Sequence, residues 1–150
     1  MRWLQIPIAV LLLAFLSLAK SADQPLDALK ARAESASPNE QGRLFATIAR
    51  REVNEANRFY TDGDIADAKK AVGEVVRYAG RAADAAGKSG KHAKQTEILL
   101  RETARRLEDV RKTLNFEDRP DVEAAVKQVE EIRQRLLNQM FGLPSKESKK

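Results

Sequence analysis

His92 is the only histidine in the chain, and imidazole is the side chain that most readily serves as a general base or metal ligand near neutral pH. It lies among lysines, Lys91 and Lys94, and no carboxylate or second metal ligand stands in register with it. Together with Met140, it could supply the axial ligands of a b-type haem held between helices. We favour two simpler interpretations: a solvated surface position for His92 and ordinary core packing for Met140.

Asp62, Asp64 and Asp67 have the spacing that opens a calcium-binding loop, but the rest of that motif is missing. The motif needs glycine at its sixth position, where Asp67 lies, and glutamate at its twelfth, where Gly73 lies. Capping of helix ends explains these acidic residues better, because carboxylates accept hydrogen bonds from free N–H groups there.

Other signatures of catalysis are missing from the sequence. There is no Gly-x-Ser-x-Gly nucleophile motif and no Glu-x-x-His pair of the kind used by di-iron bundles. Segment 87–91 lacks the spacing and the preceding strand of a phosphate-binding loop. The chain has no cysteine, which excludes thiol chemistry and zinc–thiolate sites. We therefore expect a protein that is not an enzyme and uses no metal or cofactor.

The composition is that of one soluble helical domain. The chain has 150 residues, of which 43% are hydrophobic and 33% charged, and only 5% are aromatic. Any core must therefore be built from Leu, Val, Ile and Ala. The net charge of +5 is small and scattered, and no basic stripe with interleaved aromatic residues appears. These features argue against a nucleic-acid partner.

The N-terminus has the three-part layout of a secretory signal peptide. Arg2 supplies the positive end, segment 4–19 is almost wholly apolar, and small residues follow at Ser17, Ala19 and Ser21. We assign residues 1–22 to a signal peptide cleaved near 19–22, which predicts export to the periplasm or the medium. The apolar run is shorter than the roughly 20 residues that comfortably span a bilayer. An uncleaved membrane anchor remains the alternative.

Apolar residues at helical spacing predict one short and four long helices over residues 23–141. The short leading helix carries Leu26 and Leu29, and Ser37 with Glu40 forms a capping box for the first long helix. The expected breaks between and after the long helices are the segments 62–64, 87–90, 115–120 and 142–144. Segment 142–150 is expected to be a charged, disordered tail.

These elements predict an all-α fold. Each helix has one apolar face, and short turns favour antiparallel neighbours, so the economical arrangement is an up-down antiparallel bundle of four long helices with a short leading helix. Alternation with period two and runs of β-branched residues, which would indicate strands, are missing from the sequence.

Gly73, Gly80 and Gly87 recur at heptad spacing on one helix, of which Gly87 is a natural C-terminal glycine. An interior glycine costs a helix roughly 1 kcal/mol relative to alanine, so a compensating use is expected. We predict that the face bearing Gly73 and Gly80 packs closely against another helix, in the same bundle or in a second copy. The alternative is that they are tolerated weak points of a flexible helix.

The turn between the first two long helices resembles that of a tetratricopeptide repeat. The residues that match are Ala56, Tyr60, Gly63, Asp64 and Ala68. In that family glycine reverses the chain, aspartate caps the new helix and alanine lets two helices approach. No repeat of about 34 residues follows. The resemblance covers one hairpin and implies a protein-binding scaffold.

A fainter version of this pattern occurs further along the chain. Its residues are Phe116, Asp121, Val122 and Ala125, matching Phe59, Asp64, Ile65 and Ala68. The spacing between the two versions implies two long hairpins rather than tetratricopeptide modules.

Two functions remain open. The favoured one is an exported, non-enzymatic helical scaffold that binds another protein or itself. The alternative is an exported bundle that holds a small ligand or a b-type haem between its helices. A membrane is an expected partner only if the N-terminal segment is not cleaved.

The first testable prediction concerns processing. We expect the mature N-terminus to lie between Lys20 and Asp23, because the small residues needed by the signal peptidase end there. N-terminal sequencing of secreted or envelope protein measures it. Recovery of chains that begin at intact Met1 from a membrane pellet would contradict cleavage.

Overall fold

A computed structural model of the protein describes residues 24–144, and the described residues form an all-α bundle without strands. The expected fold class is therefore confirmed. The predicted signal peptide, and residues 145–150 of the predicted tail, lie outside the described residues. The helices are α1 (Leu26–Ser35), α2 (Pro38–Asp62), α3 (Ile65–Ser89), α4 (Ala93–Thr113) and α5 (Arg119–Met140), with a 3-10 turn at Phe116–Asp118 before α5.

The four long helices form two hairpins, α2–α3 and α4–α5. Only two residues, Gly63 and Asp64, connect α2 to α3, so α3 runs antiparallel to α2 and packs along it. In the second hairpin, Arg111 meets Glu123 at 3.1 Å and Arg133 meets Glu97 at 2.8 Å. These pairs join the end of α4 to the start of α5 and the start of α4 to the end of α5. The helices of this hairpin are therefore antiparallel as well.

The two hairpins pack side by side in the same direction. Arg50 binds Glu102 and Arg106 binds Asn54, and both pairs are separated by 52 residues, so α4 runs parallel to α2. On the other side α3 packs along α5, whereas α3 and α4 share the smallest interface among the long helices in contact. The order around the bundle is thus α2, α3, α5, α4. The short connection from α3 to α4 joins helices that are not close neighbours, so the expected up-down arrangement of antiparallel neighbours is not confirmed: it holds within each hairpin, whereas α2 and α4 are parallel neighbours.

Small side chains let the helices of the first hairpin approach closely. The buried face of α3 consists largely of alanine, and its members are Ala68, Ala71, Ala79, Ala82, Ala83 and Ala86. The larger core residues lie mainly on the other long helices, and the largest fully buried ones are Ile48, Leu100, Leu107 and Leu136. Burial of each such side chain contributes about 1.5–3 kcal/mol. Buried residues of both hairpins and of α1 form one continuous hydrophobic core.

Gly63 reverses the chain between α2 and α3, as the resemblance implies. Its φ is +82°, its N–H donates to the Tyr60 carbonyl, and the Asp64 N–H donates to the Phe59 carbonyl at 2.9 Å. This pair of bonds is a Schellman motif, which favours glycine at the left-handed position. Asp64 occupies the N-cap of α3, but its side chain makes no capping hydrogen bond. Ala68 is fully buried.

Two other expected helix ends differ from the structure. Ser37 makes no side-chain cap at the start of α2: the Glu40 N–H donates to the Ser37 carbonyl oxygen at 2.9 Å, and the Glu40 carboxylate accepts from Arg43 at 2.7 Å instead of completing a capping box. Gly87 does not end α3. The helix continues to Ser89 and ends at Gly90, whose φ of +66° is the left-handed value a C-terminal glycine supplies.

The closest approach of another helix's backbone at a glycine is at Gly42, which the sequence did not single out; a Cβ added at Gly87 would meet the flexible end of the Gln139 side chain on α5 instead. A Cβ added there would lie 2.9 Å from the Ala86 Cβ and 3.0 Å from its backbone nitrogen. A Cβ on Gly80 would meet only the Ile132 Cδ1 at 4.0 Å, and one on Gly73 would meet nothing within 4 Å. Within residues 24–144, the close approach expected at Gly73 and Gly80 is therefore not made. A contact with a second copy stays a prediction.

Gly42→Ala and Gly73→Ala should change stability in opposite directions. At Gly42 the methyl group meets backbone that cannot yield, which should destabilise the fold by about 1–3 kcal/mol. At Gly73 there is open space, and the lost backbone freedom of the unfolded chain should stabilise by up to about 1 kcal/mol. Urea unfolding followed by circular dichroism measures both. Equal effects on the two variants would mean that α2 and α3 do not cross closely at Gly42.

Candidate functional site

The bundle has two chemically distinct ends. At one end lie the turns of both hairpins, residues 63–64 and 114–118; we call this the acidic end. At the other end, which we call the basic end, α2 and α4 begin and α3 and α5 finish. Both turns lie at the same end because the hairpins pack in the same direction.

A cleft of about 620 Å³ opens at the basic end, where the last turns of α3 and α5 meet the first turn of α4. Ala86 and Leu136 give it buried apolar walls. Met140 contributes a partly exposed thioether, and Lys94 and Gln139 are exposed polar residues in the lining. The cleft thus combines apolar walls with polar side chains that can turn toward a bound partner.

His92 and Met140, which the sequence paired as possible haem ligands, both line this cleft. The His92 Nδ1 lies 2.7 Å from the Gln95 Oε1, and its Nε2 lies 3.3 Å from the Glu40 Oε1. Both ring nitrogens therefore already face oxygen acceptors. His92 is exposed, as expected, and has a left-handed backbone with φ +55° at the N-cap of α4. Met140 is 37% exposed rather than part of the core, because α5 ends there beyond its last buried residue, Leu136.

Three large apolar side chains within a stretch of four residues stand exposed at the basic end. Met140, Phe141 and Leu143 are 37%, 70% and 56% exposed, and Met140 belongs to the cleft. Single exposed apolar residues are ordinary, whereas a cluster of them beside a cleft is a feature that protein–protein interaction sites often share. Nearby basic residues without an ion pair within the described part of the chain are Lys88, Lys91, Lys94 and Arg135.

The acidic end carries one fully displayed aromatic side chain. Phe116, in the turn between α4 and α5, is 83% exposed. The matched residue of the other turn, Phe59, is only partly buried and packs against the core. Acidic residues cluster around both turns, and they are Asp62, Asp64, Asp67, Glu117, Asp118 and Asp121. Among residues 24–144, no group of three or more His, Asp or Glu side chains is placed to hold a metal ion.

Tyr60 lies where the first turn meets the second hairpin. Its hydroxyl is buried and has no hydrogen-bond partner among the described residues. Burial raises the pKa of Tyr60, and the negative charges of Asp121 and Asp118 raise it further. The tyrosine of the tetratricopeptide-like turn therefore faces the start of α5, and in this chain it helps to join the two hairpins.

Gly73 and Gly80 lie on the side of the bundle formed by α3 and α5. Gly73, Val76, Ala124 and Gln128 line a shallow groove of about 430 Å³ there, and Gly80 lies further along the same helix, above Ile132. Glycine, alanine and valine side chains line much of the groove, together with the polar Lys69, Asp121 and Gln128, and none of its lining residues is a large exposed apolar one. Both glycines therefore have free space beside them, and no other helix among residues 24–144 packs closely against either one.

A cluster of charged and aromatic side chains, which the sequence analysis did not predict, holds α1 against the first hairpin. The Lys30 Nζ forms an ion pair with the Glu52 Oε1 at 2.5 Å, although Glu52 is only 4% exposed. The Lys30 Nζ also lies 5.5 Å from the ring centre of the buried Tyr78. A signal was present: Glu52 stands at heptad spacing between Phe45 and Phe59, on the apolar face of its helix.

Arg81 forms the other fastening of α1. Its guanidinium donates two hydrogen bonds to the Glu34 carboxylate, at 2.5 and 2.7 Å, and lies 4.0 Å from the ring centre of Phe45. The hydrogen bond from Arg81 lowers the pKa of Glu34. The neighbouring Glu74 carboxyl, which binds Arg77, also has a lowered pKa, with that hydrogen bond as the main cause.

Acid should release α1 from the hairpin. A carboxyl group whose pKa is lowered by folding stabilises the fold above its unfolded pKa, near 4, and this stabilisation is lost as the pH falls through the folded value. Amide exchange of residues 26–36, corrected for the intrinsic rate, should therefore rise between pH 5 and about pH 3.

Glu34→Gln should raise the exchange of α1 already at neutral pH. The matched control is Glu117→Gln, because Glu117 is exposed and forms no ion pair among the described residues. Equal protection of α1 in both variants and at both pH values would show that the ion pairs do not hold this helix.

No protein-family model, curated protein or solved structure matches this chain. None of the helices within residues 24–144 is both long enough and apolar enough to cross a membrane.

Proposed function

We propose that the protein is an exported, non-enzymatic helical scaffold that binds another protein or itself, and that the basic end is its binding surface. The observation that carries the proposal is the exposed run of Met140, Phe141 and Leu143 beside the cleft. Burial of such side chains in a partner is favourable in proportion to the apolar area removed from water. Aromatic anchors beside a pocket are also the usual centre of a protein–protein interface.

The sides of the bundle support this choice of surface. α1 covers part of the outer face of the first hairpin, and the outer edge of the second hairpin carries charged groups that satisfy one another. Arg111 binds Glu108 and Glu123, and Arg133 binds Glu97 and Glu130. Polar outer faces of this kind end a stack of helical hairpins, because they need no further cover. The large exposed apolar side chains among residues 24–144 lie at the two ends of the bundle, where a partner could bury them.

The resemblance to a tetratricopeptide turn supports a scaffold role in a limited way. Tetratricopeptide proteins bind partners on surfaces built from stacked helical hairpins. This chain has two hairpins stacked in the same direction, with the matching turn in the first. Gly73 and Gly80 remain candidates for a second contact surface, because the groove beside them accepts small additions without a clash.

Export is the remaining part of the proposal. The N-terminal layout supports it, with a positive start, an apolar segment and small residues before position 22. A chain without cysteine neither needs nor can form a disulfide, which is compatible with an oxidising compartment outside the cytosol.

The alternative function is an exported bundle that binds a small ligand or b-type haem. The cleft has the volume of a small-molecule site, and Met140 lines it. Against haem, both nitrogens of His92 face the acceptors Gln95 and Glu40, so ligation would first have to break these contacts. Titration of the purified protein with haem, followed by absorbance near the Soret band, separates the two functions.

Removing the apolar cluster should abolish partner binding without unfolding the bundle. Tagged protein carrying Phe141→Ser and Leu143→Ser should recover at least about tenfold less partner from a cross-linked envelope fraction than the unaltered protein. Both residues are exposed, so the thermal melt should hardly change. Arg101→Ser with Arg105→Ser is the matched control, since it removes two exposed long side chains from the middle of α4, away from both ends of the bundle. Equal recovery by the cluster variant and the control would contradict binding at the basic end.

A further inference from the structure

We propose that the partner is a second copy of this chain, and that copies assemble head to tail with Phe116 of one copy in the basic-end cleft of the next. This inference rests on the proposed function and gives its binding surface an occupant. Three observations carry it: an exposed aromatic group at one end, a cleft with apolar walls at the other, and opposite charges on the two ends.

Phe116 is the most exposed of the large apolar residues in the described part of the chain, at 83%. It stands in the 3-10 turn between α4 and α5, at the tip of the second hairpin. The equivalent aromatic group of the first hairpin, Phe59, packs against the core. Turn geometry does not demand an aromatic side chain at Phe116, and a ring this exposed is free to enter an apolar cleft of another molecule.

The cleft at the opposite end offers what a phenyl ring needs. Its volume of about 620 Å³ exceeds that of one phenyl group, and Ala86 and Leu136 provide apolar walls. The Met140 sulfur can contact the edge of an aromatic ring, and the Lys94 ammonium group can lie over its face. Phe141 and Leu143 stand exposed beside the cleft, where they would cover a ring that has entered it.

The charges of the two ends are complementary. At the acidic end, five acidic side chains form no ion pair within residues 24–144, and they outnumber the unpaired bases Lys70 and Arg119; they are Asp62, Asp64, Asp67, Glu117 and Asp118. Toward the other end, the basic side chains without an ion pair in the same residues outnumber the unpaired acids Asp84 and Glu131; they are Lys88, Lys91, Lys94 and Arg135. Docking would bring these sets within about 10 Å, the distance over which charges attract at moderate salt. It would also steer the copies into this orientation, because two like ends repel.

The geometry implies open chains rather than closed dimers. The two surfaces differ, and they lie at opposite ends of a helix of 25 residues, which is about 37 Å long. A contact between different surfaces leaves one acceptor and one donor free after each addition. Assembly should therefore grow with concentration and weaken as salt rises.

Two complementary variants test the proposal. Phe116→Ser removes the inserted side chain but leaves the cleft, whereas Phe141→Ser with Leu143→Ser damages the cleft but leaves Phe116. All three residues are exposed, so both variants should keep the unaltered thermal melt. Sedimentation velocity of protein purified from the exported fraction should show that each variant alone has an apparent Kd at least about tenfold weaker than the unaltered chain.

An equal mixture of the two variants gives the decisive result. The intact cleft of one variant can accept Phe116 of the other, so the mixture should form a one-to-one dimer that grows no further. Raising the salt from about 0.1 to 0.5 M should weaken it. A mixture that stays monomeric, or single variants that assemble like the unaltered chain, would overturn head-to-tail docking.

An unaltered chain that stays monomeric at about 100 μM, well above a typical micromolar Kd, would also overturn it. This result would follow if residues 145–150 of the same chain, or a different protein, filled the cleft. The proposed function would then still stand if recovery of an envelope partner depends on Phe141 and Leu143. Loss of that dependence would reject the basic end as a binding surface altogether, so the two failures are distinguishable.

Discussion

The close approach of α2 and α3 is the contact on which the rest of the structure depends. A side chain at Gly42 would collide with the Ala86 Cβ, so glycine lets the two helices approach there. Further along α3, buried alanines keep the distance between the two helices short. Interiors pack at the density of organic crystals, so small side chains on one helix bring the other nearer rather than leaving voids. The resulting hairpin has two apolar faces. α1 packs against one face, and the second hairpin packs against the other.

α1 and the second hairpin are held against the first hairpin by different chemistry. The second hairpin packs through aliphatic side chains such as Leu100, Leu107 and Leu136, all almost fully buried. α1 has only ten residues and adds Leu29 and Ala33 to the core, so its attachment also relies on Lys30 and Glu34. A helix this short is marginal in isolation, and the charged contacts help to place it. We expect α1 to be the part of the described bundle that opens first, because those contacts depend on pH.

The two ends differ in charge because of local helix-end preferences and because the two hairpins pack in the same direction. Acidic residues are favoured near helix N-termini, and Asp67 and Asp121 lie in the first turns of α3 and α5. Each hairpin turn is thus acidic for reasons of its own. Because the hairpins stack in the same direction, the two acidic turns come together, and lysines such as Lys88 and Lys94 gather at the opposite end. A charge pattern that looks scattered along the chain becomes a separation between two surfaces.

The sequence by itself determined the helices, their apolar faces and the turn at Gly63, because these depend on spacing and on the backbone freedom of single residues. It could not determine the order of helices around the core, since a short connection such as 90–92 fits several arrangements. The buried ion pair of Glu52 with Lys30, the close approach at Gly42 and the cleft beside Met140 were likewise decided by tertiary structure. Each of them joins residues that are distant in the chain. Their energies depend on which faces meet, and the periodicity of one helix carries no information about its neighbour.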